Sequence, residues 1–128
     1  MVAVEWGHGK RARVLSDYTF AVRGTDGNLL TIGKAYSGLT DAEIADLTPW
    51  FLSHTIGVRG HALCVEPSIV IEVAFDIVHR SRLHQSGFAL RFPRIVRIRH
   101  DKPPTDIDTV RRAAEIYEEM IGREGVHS

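Results

Sequence analysis

The chain has 128 residues, of which 44% are hydrophobic and 25% charged, and its formal net charge at pH 7 is zero. This length suits one domain of ordinary globular composition. No apolar run approaches the roughly 20 residues of a membrane span, and the N-terminus lacks the basic and apolar regions of a secretory signal. We therefore expect a cytoplasmic protein whose single cysteine, Cys64, is a reduced and buried small side chain.

Three short strands are predicted at the start of the chain, over residues 2–6, 18–23 and 29–36. Gly7-His8-Gly9 follows the first strand and is a turn sequence. Thr25-Asp26-Gly27-Asn28 joins the second strand to the third and has the composition of a hairpin turn. Together these features predict an antiparallel meander.

A helix is predicted after the meander, over residues 40–56. Thr40 and Glu43 form a capping-box sequence, in which each side chain accepts a hydrogen bond from the other residue's free backbone amide. Helical spacing is shared by the apolar residues Ile44, Leu47 and Phe51. Pro49 is expected to kink the helix or to restart it, since proline suits a first helical turn.

Two longer strands are predicted in the second half of the chain, over residues 69–78 and 88–99. The first has an apolar face of Ile69, Ile71, Val73, Phe75 and Ile77, and an opposite face of Glu72, Ala74 and Asp76. The second has an apolar face of Phe88, Leu90, Phe92, Val96 and Ile98. Its other face is expected to carry Arg91, Arg97 and Arg99 if the alternation survives Pro93, which should mark an edge position or a bulge.

A second helix is predicted over residues 106–121, with an apolar stripe of Ile107, Val110, Ala114, Tyr117 and Ile121. Gly122 stands where a helix C-cap is expected. Five or six short strands with one inserted helix and one C-terminal helix predict a mainly β (α+β) fold, a small Greek-key barrel of OB type. A single domain would cover residues 1–128, with the barrel in 2–104 and the C-terminal helix in 105–122. Another α+β sandwich is the alternative.

Charge is distributed unevenly along this neutral chain. Residues 79–102 contain seven basic residues and one acid, whereas residues 25–78 contain two basic residues and seven acids. Arginines on one strand face would repel each other in an apolar core, so that face must meet solvent, carboxylates or phosphates. Guanidinium forks match phosphate oxygens, and Asp101 could hold a neighbouring Arg or Lys in place. A nucleic-acid or polyphosphate ligand, a solvated face and a protein partner all remain possible interpretations.

The basic segment also carries a family resemblance. Arg91-Phe92-Pro93-Arg94 followed by Arg99-His100-Asp101-Lys102 resembles motif VI of the ATP-dependent DNA ligases, which closes their C-terminal OB domain. Residues 6–12, 33–40, 72–75 and 86–88 resemble other stretches of that domain, so the resemblance runs from about residue 2 to residue 117. Met1 lies almost where the OB domain of the family begins, which predicts an expressed domain or a truncated reading frame.

The resemblance implies specific roles for individual residues. In such ligases the OB domain closes over the nucleotide pocket, and motif VI orients the β- and γ-phosphates of ATP as pyrophosphate leaves; here that role would fall on Arg91, Arg99 and Lys102, supported by Asp101. The domain then grips duplex DNA at the nick through its backbone phosphates. The candidates for those contacts are Lys10, Arg11, Arg13, Arg80, Arg82, Arg94 and Arg97.

The nucleophilic lysine of the family is absent. It lies in a Lys-x-Asp-Gly motif that does not occur in this chain, so the isolated chain is not expected to be catalytic. We expect no metal site or cofactor in the chain itself, with ATP and Mg²⁺ bound in the parent enzyme. The expected partners are nicked duplex DNA of the nucleoid, ATP phosphates in the closed state, and a ligase nucleotidyltransferase domain in cis or in trans.

Two other functions remain as alternatives. A free-standing OB module for single strands needs exposed aromatic platforms, and the strand pattern places Phe88 and Phe92 opposite the arginines. That placement disfavours this alternative. A basic face that binds an acidic protein is the other.

Overall fold

Short β-strands are the main regular structure of the chain, as its alternating apolar pattern indicates. The structure, a computed structural model, describes residues 1–125, and it describes side chains through residue 122. The strands in this range are β1 (Ala3–Trp6), β2 (Leu15–Arg23), β3 (Leu29–Ala35), β4 (Thr55–Arg59), β5 (Ala62–Val65), β6 (Ile71–Ala74), β7 (Ile77–Arg80), β8 (Phe88–Arg91) and β9 (Arg94–Ile98). The helices are α1 (Asp41–Ser53) and α2 (Val110–Gly125), with 3-10 turns at Gly9–Arg11 and Pro104–Asp106.

The strands form one large sheet and two small ones. The large sheet has the antiparallel order β3-β2-β1-β5-β4, so the chain leaves the meander through α1 and returns on the other side of β1. The small sheets pair β6 with β9 and β7 with β8. Apolar side chains of the meander, α1 and β9 share one core, which includes Val4, Leu15, Tyr18, Phe20, Ile32, Phe51 and Ile95. The fold is therefore mainly β with two helices and is of OB type, as predicted.

The strand count was predicted too low, in part because one hairpin was missed. The inserted helix ends at Ser53 rather than near residue 56, and β4 and β5 follow it. Gly60, with a φ of +61°, makes the turn between them. This glycine, between a β-branched run and an apolar run, was the available sequence signal. Cys64 lies in β5 and is half-buried rather than fully buried.

The two long strands predicted in the second half are wrong as continuous strands. Residues 69–78 divide into β6 and β7, and residues 88–99 divide into β8 and β9. The two breaks face each other, because the amide of Asp76 donates to the carbonyl of Arg91 over 2.9 Å. The segment is thus one long hairpin that bends at a corner, with each half paired in its own sheet. Phe92 has a φ of +53° and Pro93 has no amide hydrogen, so neither can continue a regular ladder.

The capping box of α1 is confirmed. The Glu43 amide donates to Thr40 Oγ1 over 3.1 Å, and the Thr40 amide donates to Glu43 Oε1 over 3.0 Å. Pro49 does not restart the helix, which continues through the proline to Ser53, and the alternative of a kink stays a prediction. The buried Thr48 hydroxyl donates to the Ile44 carbonyl and accepts from the Leu15 amide, which ties this turn of the helix to β2.

Removing the N-cap hydroxyl should weaken α1 measurably. We expect Thr40→Ala to lower the free energy of unfolding by about 1 kcal/mol, because the Glu43 amide loses its acceptor. Urea denaturation followed by circular dichroism measures this change. Thr40→Ser keeps the hydroxyl and serves as the matched control. A loss as large for the serine variant would contradict the capping explanation.

The C-terminal helix α2 packs against the bent hairpin. Ala113 is buried, the Tyr117 ring lies 5.6 Å from that of Phe88, and the Arg23 amide donates to the Asp108 carbonyl just before the helix. The predicted C-cap at Gly122 is wrong, because α2 continues to Gly125. In residues 1–125, neither helix is long and apolar enough to cross a membrane.

Candidate phosphate and nucleic-acid site

The centre of the candidate site is the Arg99 guanidinium, just after β9. Its Nε and Nη2 atoms donate to the two carboxylate oxygens of Asp101 over 2.9 and 2.8 Å. Its Nη1 atom donates to Glu72 Oε1 on the neighbouring strand β6 over 3.3 Å. The predicted support of an arginine by Asp101 is therefore present. Charged planar pairs of this kind hold a guanidinium in one orientation.

Arg97 joins the same cluster through a bulge in β9. Glu72 pairs in register with Arg97, and its Oε2 atom lies 3.4 Å from Arg97 Nε. Val73 pairs with Ile95, so Val96 is an extra residue in β9. The bulge reverses the alternation, and Ile95 is buried while Val96 is half-exposed. The prediction that placed Val96 on the apolar face is consequently wrong.

Arg91 lies in a different sheet from Arg97 and Arg99. It ends β8, where it pairs with Ile77 of β7, and its guanidinium stands 5.2 Å from the ring centre of Phe92. The prediction of three arginines on one strand face is therefore wrong, because the corner at residues 92–93 separates them. Phe92 is 63% exposed, so its predicted place on the apolar face is also wrong. An exposed Phe92 ring could stack on a base, so the predicted placement of this ring no longer disfavours single-strand binding.

The remaining candidates are spread over several elements. Arg94 bonds the Asp76 carboxylate over 3.2 Å, and Arg80 stands 5.4 Å from the ring centre of Tyr117. Arg11 donates to Asp41 at the start of α1 and to the Tyr36 carbonyl, each over 3.2 Å. Lys10, Arg13, Arg82 and Lys102 are also exposed. The structure therefore brings together Arg97, Arg99 and Asp101, with Lys102 next in sequence, and leaves the other candidates apart from this cluster.

Glu72 is the cluster residue that the sequence reasoning did not select. The sequence reasoning placed it in an acidic stretch, on the face of a predicted strand opposite the apolar one. The resemblance of residues 72–75 to the ligase OB domain was an available signal, but it gives no partner for Glu72, because the register that brings Glu72 to Arg97 is a long-range property. The cluster also lies beside a cavity of about 610 Å³, whose wall includes Glu72, Arg99 and Lys102 together with Phe20 and Ala113.

Arg99 shifts the pKa of its partner. Hydrogen bonding to Arg99 lowers the pKa of Asp101 from 3.8 to about 2. The hydrogen bonds with Asp101, opposed by some desolvation, raise the pKa of Arg99 in turn. Both groups are therefore charged at neutral pH, and the pair is maintained over the physiological range.

The depressed pKa of Asp101 predicts an acid-sensitive contribution to stability. Because the folded pKa is lower than the unfolded value of 3.8, the contribution is fully present above about pH 4 and is lost as the pH falls through about 2. We expect wild type to be more stable than Asp101→Asn at pH 6, with a difference that shrinks between pH 4 and pH 2. Urea denaturation of both proteins from pH 6 to pH 2 measures this difference in unfolding free energy. A difference that stays constant with pH would contradict the pairing of Asp101 with Arg99.

The donor set of the cluster does not fit Mg²⁺. Both of its carboxylates, Glu72 and Asp101, are already bonded to guanidinium groups, and a hard cation needs free oxygen ligands. Among the described residues, no group of three or more His, Cys, Asp or Glu side chains is placed to hold a metal. The site is instead suited to anions.

Comparison with known proteins shows clear similarity to DNA ligases. Residues 11–102 match the family described as the ATP-dependent DNA ligase C-terminal region. The chain is 64% identical over 117 residues to a probable DNA ligase of Koribacter versatilis, covering 91% of this chain and 20% of that protein. It is 47% identical over 122 residues to DNA ligase 1 of Korarchaeum cryptofilum, covering 94% of this chain and 23% of that protein. The chain thus spans about a fifth of the length of these relatives.

Solved structures show the same fold. The ligase domain of LigD from M. tuberculosis superposes with a TM-score of 0.61 at 20% identity, covering 83% of this chain and 37% of that chain. A mycobacterial DNA ligase D complexed with ATP and MES superposes with a TM-score of 0.57 at 20% identity, covering 84% of this chain and 37% of that chain. At this level of identity, the similarity supports the fold alone.

Proposed function

Because the chain belongs to the family of ATP-dependent DNA ligase C-terminal regions, we propose that it serves as the mobile OB domain of such a ligase. In the closed state it would cover the nucleotide pocket of a nucleotidyltransferase domain. In the open state it would hold duplex DNA at the nick. The chain contains no Lys-x-Asp-Gly sequence, so the adenylylated lysine would be supplied by that other domain.

The oriented guanidinium of Arg99 is the observation that carries this proposal. Asp101 holds Arg99 by two bonds, and Lys102 follows in sequence as an exposed ammonium. An oriented guanidinium together with an exposed ammonium is suited to the charge that develops on the β- and γ-phosphates as pyrophosphate leaves. Arg91 would assist from the corner of the bent hairpin. ATP and Mg²⁺ would be bound mainly by the nucleotidyltransferase domain, since the carboxylates of the cluster are engaged.

Duplex binding would use exposed cations, most of which lie outside this cluster. Lys10, Arg13 and Arg82 are exposed, while Arg11, Arg80, Arg94 and Arg97 keep exposed surface beside their partners. Contacts of this kind follow the phosphate backbone and release counterions, so the affinity should fall with salt by roughly 0.9 log units per log unit for each phosphate contacted. The natural location would be the nucleoid of the cytoplasm.

Adenylylation in trans tests the proposal. The nucleotidyltransferase part of the Koribacter relative, without its own C-terminal region, is mixed with this chain, Mg²⁺ and labelled ATP. We expect the chain to increase covalent AMP labelling of that partner and to remain unlabelled itself. A labelled chain would contradict the missing-lysine argument, and an unchanged rate would contradict the closing role.

A single-strand-binding function is the second candidate, and the exposed Phe92 favours it. Its ring, with the Arg91 guanidinium beside it, has the form of a stacking platform. Binding of labelled nicked duplex with single-stranded and intact duplex competitors separates the two functions. Tighter binding to single strands would favour the second candidate, and indifference to all DNA competitors would favour a protein partner.

A further inference from the structure

Glu72 holds two arginines of the candidate site at once. One carboxylate oxygen faces Arg97 Nε and the other faces Arg99 Nη1, over 3.4 and 3.3 Å. Glu72 lies on β6 and both arginines lie on or just after β9, so the contact crosses the sheet. The carboxylate is 37% exposed. Glu72 makes only one contact with each arginine, unlike the bidentate Asp101, and a solvent-exposed pair without bidentate geometry contributes little to stability. Its effect on the orientation of Arg99 is therefore the more informative one.

The hydrogen atoms of Arg99 show what this orientation leaves available. A guanidinium has five N–H donors, and three of them are used, one each on Nε, Nη1 and Nη2. Within the described part of the chain, two donors remain without a partner, one on each terminal nitrogen. Asp101 holds the Nε and Nη2 atoms, and Glu72 holds the Nη1 atom. The two carboxylates together therefore determine where the two remaining N–H groups point.

From this geometry we infer that Glu72 is a positioning residue for Arg99, which directs the two remaining N–H groups toward the phosphate oxygens. The inference rests on the function proposed above, since the ligand is the triphosphate of ATP in the closed state. Glu72 also balances charge: Glu72 and Asp101 offset Arg97 and Arg99. Without Glu72 the two guanidinium groups would repel each other, and Arg99 would be held by Asp101 alone.

The experiment compares Glu72→Gln with Glu5→Gln in the trans adenylylation assay. Glu5 is the matched control, because its carboxylate also forms an ion pair, with Lys34, and is 25% exposed. We expect Glu72→Gln to lower kcat by about tenfold to a hundredfold, the loss typical of a displaced catalytic contact, with little change in the KM for ATP. Glu5→Gln should keep the wild-type kcat. Equal rates for the two variants would overturn the inference.

A double-mutant cycle distinguishes positioning from an independent role. If Glu72 acts through Arg99, adding Glu72→Gln to Arg99→Ala should cause no further loss of rate. A full further loss in that background would overturn the inference. Glu72→Asp restores the charge on a shorter side chain and should recover part of the rate. Melting temperatures of all variants, measured in parallel, show whether unfolding accounts for any loss.

Side-chain NMR of the 128-residue chain tests, without any catalytic assay, whether Glu72 restricts the Arg99 guanidinium. The Nη1 hydrogens of Arg99 should exchange and rotate faster in Glu72→Gln than in wild type or Glu5→Gln, while the Nε hydrogen stays protected by Asp101. Unchanged Nη1 behaviour would overturn the inference. If the wild-type chain fails to stimulate adenylylation while the NMR difference is present, the proposed function fails and the control of Arg99 by Glu72 stands.

Discussion

Replacing Gly38 with alanine is expected to destabilise the domain by roughly 4 kcal/mol or more, enough to leave much of it unfolded. Gly38 lies between β3 and α1 with a φ of +112°, a conformation that side chains rarely adopt. A Cβ atom there would lie 1.8 Å from the carbonyl oxygen of Ile95 and 2.7 Å from its carbonyl carbon. The Ile95 amide donates to the Ser37 carbonyl over 3.0 Å, so the two backbones cannot separate without losing that bond.

Gly27→Ala is the matched control for this prediction. Gly27 also has a positive φ, +86°, but a Cβ atom there would have no neighbour within 4 Å. Gly27→Ala should therefore lower the free energy of unfolding by only about 1 kcal/mol, which is the strain of an alanine in this backbone conformation. Urea denaturation of both variants measures the two losses of unfolding free energy. Equal losses would show that the steric clash of the new Cβ atom with Ile95 is not decisive. The close approach of Gly38 and Ile95 packs β9 against the end of the meander. Any Gly38→Ala protein that folds should therefore also have a displaced Arg99.

The sequence was sufficient to predict the features that are formed by residues close to one another in the chain. The capping box at Thr40 and the hairpin turn around Gly27 each depend on residues within a few positions of one another. The Asp101–Arg99 pair is equally local, with two residues of separation. These features could be predicted because short-range geometry determines them.

The bent hairpin could not be predicted because alternation cannot detect a change of register. The pattern of residues 88–99 continues across Pro93, yet Phe92 turns the chain and Val96 adds a residue to β9. Each event moves the following side chains to the other face of the sheet. The sequence thus predicted a basic segment correctly, while the membership of its cluster depends on pairing with Glu72 on a strand distant in sequence.

Arg99→Ala is expected to cause the largest functional loss, a decrease of roughly a hundredfold to a thousandfold in the rate of adenylylation in trans. The substitution removes the one guanidinium that Asp101 and Glu72 hold together. It also leaves two carboxylates without this partner, and their negative charge would repel the triphosphate. The affinity for nicked duplex should change much less, because most of the exposed cations proposed for that binding lie outside the cluster of Arg99.

Arg99→Lys should fail to restore the rate, because the geometry of the group matters as well as its charge. An ammonium is a point charge on a flexible stem, and it lacks the planar fork that bonds both Asp101 oxygens while reaching Glu72 and a phosphate. Arg111→Ala is the matched control, since Arg111 is 85% exposed on α2 and its ion-pair partner, Glu115, lies on the same helix. Rates of covalent AMP labelling at saturating ATP test the series. A fully active lysine variant would show that Arg99 acts through charge alone, and an inactive Arg111→Ala variant would show that any loss of positive charge lowers the rate.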